Sequence, residues 1–473
     1  MKKRFKTCYL HLTISVLLLY TAGCKAPGHV SRPESFKLPD HYGIITESSN
    51  IAELPWREMF SDEYLNALID TALKNNFNLQ IALQRIEISR ASYNQTRAPL
   101  LPSVTGVANA GVERLSKNSF NRLNNPNSSL VSDIFLGFQS TWEIDIWKRL
   151  RNNRKAAYSR FLASEQAAHL LETIIVSEIA RLYYTLLTLD SEQSIIQRNI
   201  DLQKSIVDII TIQKEGGRAT ELAVQQSRAQ LLNTQSLQAD YRQRLLETEN
   251  ELNILLGRLP EKIQRSTTLP DTDLVAQYQV GIPSELLRRR PDLIQAELEL
   301  QAVEADLAAA RTAYLPALTI TPFVGVNAMS PGKLLSPSSL AFGIVSGLAA
   351  PVFNRIEIQS VYDRTLASNR ESYYNYQQTI VSAYSEVVNN LNRIKNIDAQ
   401  LTLMEEETRT LRDAVNISKD LYLAGYATYL EVIVAQENVL AAELEFISSK
   451  NRMYLSGIDL YRSLGGGWDS QVR

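Results

Sequence analysis

The chain carries the sequence RAPLLPSVT at residues 97–105 and returns to a similar sequence, RTAYLPALT, at residues 311–319. Later landmarks recur in the same order, since GRATEL at residues 217–222 is matched by GYATYL at residues 425–430. The offset is about 210 residues at each landmark, which is far longer than the period of solenoid arrays. The sequence therefore predicts a two-fold internal duplication.

Each copy begins with a pair of predicted strands. Alternation of polar and apolar residues indicates a strand with two different faces. It predicts strands at about residues 103–114 and 131–145 in the first copy, and at about residues 317–328 and 338–350 in the second. Residues 115–129, rich in Asn and Ser, are predicted to form an exposed loop. In the second strand the polar face holds Gln139, Thr141, Glu143 and Asp145, and the apolar face holds Ile134, Leu136, Phe138, Trp142 and Ile144.

A pair of very long helices follows each strand pair. The first helical stretch contains neither proline nor glycine, and its leucines and isoleucines recur at the spacing of a coiled-coil seam. These patterns predict helices at about residues 147–215 and 219–257, with counterparts at about residues 355–424 and 427–464. The residues of the predicted coiled-coil stripe are Leu182, Leu186, Leu189, Ile196 and Ile200.

The first 23 residues have the pattern of an export signal, in which basic residues precede an apolar run too short to span a bilayer. The small residues before Cys24 resemble a lipoprotein cleavage site, although Thr21 stands where that motif usually has leucine. We therefore expect Cys24 to be lipidated, and the alternative is an ordinary cleaved signal with an incidental cysteine. The remaining divisions are an N-terminal tether at residues 24–60 and the two copies at residues 61–270 and 271–473.

The composition excludes several classes of protein. Lys and Arg number 49 against 51 Asp and Glu, so the chain lacks the basic excess typical of nucleic-acid binding. A hydrophobic content of 45% is close to that of a soluble protein and excludes a bundle of membrane-spanning helices. Because the two cysteines, Cys8 and Cys24, both lie near the start, we expect neither a disulfide framework nor a cysteine metal cluster.

The sequence offers little for catalysis. Glu143 and Asp145 have a spacing that an acid and base pair could use, but we favour a role as polar, lumen-facing residues where strand meets helix. The four histidines show no metal-binding spacing, and no phosphate loop or nucleophile elbow occurs. We therefore expect no enzyme activity, no cofactor and no metal. The arginines at 288–290 are interpreted as the basic last turn of a short helix capped by Ser284, rather than as a phosphate site.

Four strands with one apolar face cannot close a barrel within a single chain. Unpaired strand edges in hydrocarbon are very costly, so several chains must share one barrel. Two chains would supply eight strands, whose interior is filled by side chains, whereas three would supply twelve and leave a lumen. The geometry therefore favours a trimer if the protein conducts. The alternative is a soluble sheet followed by a plain coiled coil.

Three segments resemble a known family. IPSELLRRRPDL at residues 282–293, WEIDIW at residues 142–147 and LEVIVAQ at residues 430–436 resemble the TolC/OprM-type outer membrane efflux proteins (outer membrane factor family), in their lipoprotein, NodT-like branch. The resemblance covers essentially all of the mature sequence, although Lys148 stands where the family commonly has glycine. It implies an α+β membrane protein. In that fold a homotrimer shares one 12-stranded β-barrel, continued by a long α-helical periplasmic barrel with an equatorial domain.

The resemblance also implies a location, a function and partners. We expect a passive conduit in the outer membrane of a Gram-negative bacterium, where it exports drugs or other small toxic compounds as part of a tripartite efflux system. The implied partners are a periplasmic membrane-fusion adaptor and an inner-membrane pump of the RND type, or an ABC exporter. The alternatives are a channel for type I protein secretion and a non-conducting, envelope-spanning coiled-coil lipoprotein.

By the same resemblance, the tips of the two helical hairpins hold the functional residues. Leu430, Val434 and Glu437 share one helical face and are expected to line the periplasmic gate, and the alternative for them is plain coiled-coil packing. Val434 stands where the lipoprotein branch often has aspartate, which favours an apolar constriction. The expected adaptor-contact positions at the tips are Gly217, Thr220, Gly425 and Thr428.

Overall fold

The structure is a computed structural model that describes residues 38–42, 50–114, 116, 130–267, 269, 280–351 and 355–468. Cys24 and nearly all of the predicted loop at residues 115–129 lie outside the described residues. The chain forms two compact units. Unit 1 includes residues 86–164 and 296–376, and unit 2 includes residues 36–85, 165–295 and 377–473.

Unit 1 contains a four-stranded antiparallel sheet in which the strands neighbour one another in sequence order. The strands are β1 (Ser103–Arg114), β2 (Leu130–Ile144), β3 (Ala317–Ala328) and β4 (Leu340–Ala349). β1 and β4 are therefore edge strands, and within the described residues each has one unpaired side. The prediction of four strands per chain is confirmed.

The register of the sheet sorts its side chains into an apolar face and a largely polar face. Phe138 lies opposite Gly106 on β1 and Val324 on β3, and side chains opposite one another on adjacent strands share a face. The apolar face holds Val104, Val112, Leu136, Phe138, Trp142, Val324, Phe342 and Ile344, all of them exposed. The polar face holds Thr105, Asn109, Glu113, Asp133, Gln139, Thr141, Thr319, Thr321 and Asn327.

The helices account for most of the chain. Three precede the sheet, namely α1 (Trp56–Met59), α2 (Glu63–Asn75) and α3 (Phe77–Gln95). α4 (Arg149–Glu215) and α5 (Glu221–Leu255) form the first long hairpin, α6 (Leu286–Arg289) and α7 (Pro291–Thr312) follow, and α8 (Arg355–Ala424) and α9 (Tyr429–Ser463) form the second hairpin. At 1.5 Å per residue, α4 and α8 are each about 100 Å long.

None of the helices in the described part of the chain is both long enough and apolar enough to cross a membrane. The coiled-coil stripe predicted for α4 does pack in the interior of unit 2. Leu186, Leu189, Ile196 and Ile200 are buried, and Leu182 is half-buried.

The prediction that Ser284 caps a short helix is wrong. The structure has a 3₁₀ turn at Pro283–Glu285 that leads into α6, and Ser284 caps neither element. Pro283 occupies the first position of the turn, where its fixed φ is favourable, so the cap position falls on Ile282. The following helix, α7, begins at Pro291.

Two networks of ion pairs hold the part of unit 2 that we call the base, which consists of Asp190, Glu249, Arg265, Arg290, Asp292 and Glu386. In the first network, Arg265 donates to both oxygens of Asp190 (2.6 and 2.9 Å) and to Glu249 (2.5 Å). These hydrogen bonds and charges outweigh the effect of burial and raise the pKa of Arg265. The guanidinium thereby joins α4 to α5.

In the second network, Arg290 is buried, and each of its three guanidinium nitrogens donates a hydrogen bond. Its guanidinium donates to both oxygens of Asp292 (3.0 and 2.6 Å) and to Glu386 on α8 (2.8 Å). It also donates to the backbone oxygen of Ser463, the last residue of α9 (2.9 Å). One side chain therefore holds the start of α7, the middle of α8 and the end of α9 together.

Candidate functional site at the two hairpin tips

The turns at the ends of the two hairpins are built alike. Gly217 has a φ of 72° and Gly425 a φ of 81°, values that favour glycine. After the first helix of each hairpin, the glycine N–H and the next N–H donate back to carbonyls of the last turn, as in a Schellman motif. The hairpins of the two copies therefore share the same kind of turn.

A threonine occupies the N-cap position just before each returning helix. The Thr220 hydroxyl accepts a hydrogen bond from the N–H of Ala223 (3.2 Å), which caps α5. At α9, the Glu431 carboxylate accepts from the Thr428 N–H (2.5 Å) and hydroxyl (3.1 Å). Such interactions fix the direction in which a helix leaves its turn. Of the predicted adaptor-contact residues, both threonines therefore have a local structural role.

A small apolar cluster joins the two tips. Ile206, Ile210, Ala223 and Val224 of the first hairpin pack with Val432 of the second, and Ala219, Tyr422 and Tyr429 contact the cluster. The Tyr429 hydroxyl also donates to the amide oxygen of Gln226 (2.6 Å). The tips of the two hairpins are thus in direct contact within one chain.

The predicted gate residues lie on the face of α9 that this cluster does not use. Leu430 is 52% exposed and Val434 is 45% exposed, and Glu437 is also exposed. Val432 and Gln436 on the other side of the same helix are buried. Within one chain, therefore, the apolar side chains of Leu430 and Val434 are left uncovered.

Several polar groups are buried beside the tips without a hydrogen-bond partner. Tyr422 is one, and burial raises its pKa. Sequence reasoning missed these groups, because a glutamine or serine on a helix does not reveal whether it faces a partner. We call the set the seam, and it consists of Asn199, Gln203, Ser227, Tyr422 and Gln436.

The turn glycines face open space. A Cβ atom added at Gly217 or Gly425 would meet no atom within 4 Å. The neighbouring Tyr426 is 85% exposed. The predicted contact positions Gly217 and Gly425 are therefore accessible in the single chain.

In unit 1, Glu143 and Asp145 lie at the corner between β2 and α4 and are already engaged. Glu143 accepts two hydrogen bonds from Arg149 Nη2 (2.8 and 2.6 Å). Asp145 accepts from the N–H groups of Leu150 and Arg151 (3.0 Å each). At the same corner Lys148 has a φ of 65°, a conformation that favours glycine.

Both carboxylates at this corner therefore support the start of α4, where negative charge is favourable. Among the described residues, no group of three or more potential metal ligands comes together.

Comparison with known proteins identifies relatives across most of the chain. A family profile described as "Outer membrane efflux protein" matches residues 68–258 and 282–466. The "Cation efflux system protein CusC" of Escherichia coli O6:H1 is 26% identical over 436 residues, which cover 92% of this chain and 93% of CusC. The "Probable efflux pump outer membrane protein TtgC" of Pseudomonas putida is 28% identical over 430 residues, which cover 90% of this chain and 88% of TtgC.

A solved structure extends the likeness to the fold. The outer-membrane channel OprN superimposes with a TM-score of 0.84 at 22% sequence identity, over 93% of this chain and 99% of the OprN chain.

Proposed function

Because the chain belongs to the outer membrane efflux protein family, we propose that it is the outer-membrane subunit of a tripartite efflux system and a passive conduit for drugs or other small toxic compounds. Membership confirms the predicted family and the prediction that the protein is not an enzyme. The protein is an outer-membrane efflux channel that extends into the periplasm. The exported compound, the trimer and the partners belong to the proposal.

The open sheet carries this proposal. β1 and β4 each have one unpaired side within the described residues, and the two faces of the sheet differ in polarity. Unpaired edges are not stable in hydrocarbon, so other copies of the chain must cover them. Three copies give twelve strands, with the apolar face toward lipid and the polar face, including Glu143, toward a lumen. Lipidation of Cys24 would add an acyl anchor to the same membrane.

The gate is the second part of the proposal. Leu430 and Val434 are exposed in one chain, on the side of α9 away from the tip cluster. In a trimer, three copies of each side chain would surround the entrance as apolar rings, with Glu437 as a ring of charge behind them. Apolar constrictions resist the passage of water and ions.

The partners are the third part of the proposal. A passive channel needs an energy source, which an inner-membrane pump of the RND type or an ABC exporter would supply through a periplasmic adaptor. Gly217, Thr220, Gly425 and Thr428 lie at the only two turns between long helices in the described residues. We place the adaptor contacts at these turns.

Planar bilayer recordings test the proposed channel. Purified full-length protein should form trimers in detergent and conduct ions after reconstitution. Trimers that never conduct would favour a structural coiled-coil lipoprotein and contradict the proposal. A deletion strain should become more sensitive to toxic compounds while secreting its proteins normally, and the reverse result would favour type I secretion.

The proposed adaptor contact has a matched control. Gly217→Trp with Gly425→Trp and Gly217→Ala with Gly425→Ala impose the same backbone strain, because both glycines have a positive φ. Only tryptophan adds bulk to the open space around the turns. We expect the tryptophan variant to lose export at unchanged trimer yield and the alanine variant to retain most of it. Equal export by the two variants would contradict the contact.

A further inference from the structure

Two phenylalanines lie on the polar face of the sheet. Phe135 is opposite Asn327, and Phe323 is opposite Gln139, so all four side chains share that face. The two rings form an edge-to-face pair with centroids 6.1 Å apart and an angle of 75° between planes. Both side chains are half-buried, so part of each ring remains accessible. Aromatic rings are unexpected here, because the other large apolar residues of β2 occupy the opposite face.

Glycines make room for these rings. Gly137 and Gly325 lie opposite one another, and an added Cβ would come within 3.0 Å and 2.9 Å, respectively, of the tip of the Phe135 ring. An added Cβ at Gly343 would come within 2.7 Å of the Phe323 ring. Both rings therefore lie close to the backbone, at positions where a side chain larger than that of glycine would collide with them. The surrounding glycines and the contact between the rings therefore fix the position of the pair on this face.

The carboxylate of Asp133 lies near the rings on the same face of the sheet. Asp133 precedes Phe135 by two residues on β2, so it shares the polar face about 7 Å away along the strand. Its carboxylate accepts a hydrogen bond from the Asn327 amide (2.7 Å). Neither lysine nor arginine occurs on this face among the described strand residues, so no cation within the sheet neutralises Asp133.

The two rings and the negative charge lie on one face of the neighbouring strands β2 and β3, and together they complement one class of ligand. The faces of aromatic rings attract cations, and a second aromatic group gains edge or stacking contacts with them. An elongated ligand whose aromatic part lies on Phe135 and Phe323 would reach Asp133 with a positively charged end. An anion would meet the carboxylate, and a small hydrated cation would gain nothing from the rings.

We propose that Phe135, Phe323 and Asp133 form a weak binding site for aromatic organic cations on the wall of the channel. The inference rests on the proposed function, because the trimeric barrel is what turns the polar face toward the lumen. Each trimer then carries three copies of the site. The site favours lipophilic cations among the compounds that enter the barrel and retains them briefly on the way out.

Single-channel recording with reconstituted full-length protein tests the site. Propidium, a membrane-impermeant aromatic dication, is added to the chamber facing the barrel, and its half-blocking concentration is measured. Hexamethonium is the non-aromatic dication control, and naphthalene disulfonate is the aromatic dianion control. We expect propidium to block at a concentration about tenfold lower than either control, the size of a modest aromatic and charge contribution.

Variants assign the block to the proposed residues. Phe135→Leu with Phe323→Leu keeps apolar volume and removes the rings, and should raise the half-blocking concentration of propidium about fivefold. Asp133→Asn should raise it about threefold. Phe138→Leu with Phe342→Leu, on the apolar face, should leave it unchanged.

Two outcomes would overturn the site while leaving the channel intact: equal block by all three compounds, or unchanged block in the leucine and asparagine variants. A wild-type protein that does not conduct would instead contradict the proposed function on which the site rests.

Discussion

The base and the seam of unit 2 differ in whether their buried polar groups have hydrogen-bond partners. At the base, the guanidinium groups of Arg265 and Arg290 donate to four carboxylates and two backbone carbonyls. Along the seam, Gln203 has neither amide atom paired, and the amide nitrogen of Gln436 also lacks a partner. Both regions include residues of the long hairpins, because Asp190, Glu249 and Glu386 of the base lie on α4, α5 and α8.

An unpaired buried polar group costs about 1–3 kcal/mol, whereas a paired one is close to neutral or favourable. Packing along the seam is therefore weaker than packing at the base. The hydrogen bonds of Arg290 hold α8 and α9 together where α9 ends, whereas near the tips apolar packing has to offset the cost of the unpaired groups. This difference is suited to an entrance that opens at the tips while the rest of the helices stays assembled.

Glu192 lies on α4 between Asp190 of the base and Asn199 of the seam. It lies two residues after Asp190 on α4, yet it is 4% exposed and its Oε2 atom has no hydrogen-bond partner. Burial raises its pKa to about 7, while nearby Arg244 on α5 lowers it and Glu445 on α9 raises it. Tyr241 on α5 also lies near its charge.

The largest expected effect comes from breaking the base. Arg290→Met would leave Asp292 and Glu386 without their buried partner, and removing one member of a buried ion pair costs about 3–5 kcal/mol. The melting temperature of the purified trimer should fall by several degrees. Arg288→Met is the matched control, because Arg288 is exposed, and should change stability by less than about 0.5 kcal/mol. Equal melting temperatures for the two variants would show that Arg290 does not stabilise the base.

Glu192 gives a pH-dependent test. Its pKa rises from 4.5 to about 7 on folding, so between these values the folded chain holds a proton that the unfolded chain releases. The free energy of unfolding should therefore fall as pH rises through this window, by about 3 kcal/mol in total.

Glu192→Gln removes this titration. The variant should be more stable than wild type at pH 8 and nearly equal to it at pH 4.5, as measured by thermal melting at both pH values. Glu251→Gln, at an exposed position on α5, keeps the Glu192 titration and serves as the control. If Glu192→Gln showed the pH dependence of wild type, Glu192 would not be the titrating group.

A smaller effect is expected within the seam. Gln436→Met replaces a buried amide by an apolar side chain of similar size and should stabilise the tips by about 1 kcal/mol. Hydrogen exchange of the amides in α9 near the tip should slow. Gln226→Met should have the opposite sign, since it removes the acceptor of the Tyr429 hydroxyl. Faster exchange in both variants would show that the unpaired amide does not weaken the seam.

Local signals in the sequence predicted much of the fold. The duplication, the four strands and the long helices follow from repeated landmarks and from periods of two and of three to four residues. The hairpin turns at Gly217 and Gly425 follow from glycine after a long helix without breakers. Lys148 shows the limit of such reasoning. It replaces a glycine common in the family, yet the backbone keeps the conformation that favours glycine.

Long-range pairing could not be predicted. Arg265 meets Asp190 across 75 residues of sequence, and nothing near either residue identifies the other. The unpaired groups of the seam were missed for the same reason, because whether an amide finds a partner depends on the helix packed against it. Phe135 and Phe323 follow the strand alternation, but only the register of the strands brings them together on the polar face.

Conductance of the closed channel tests most directly whether the weak end of the hairpins is an entrance closed by apolar contacts. Val434→Ser makes the exposed face of α9 more polar near the tip, and Val434→Ile keeps it apolar. In planar bilayers, the closed-state conductance of reconstituted Val434→Ser trimers should rise several-fold, while that of Val434→Ile trimers should match wild type. An unchanged closed-state conductance in Val434→Ser would contradict an apolar gate at the tips.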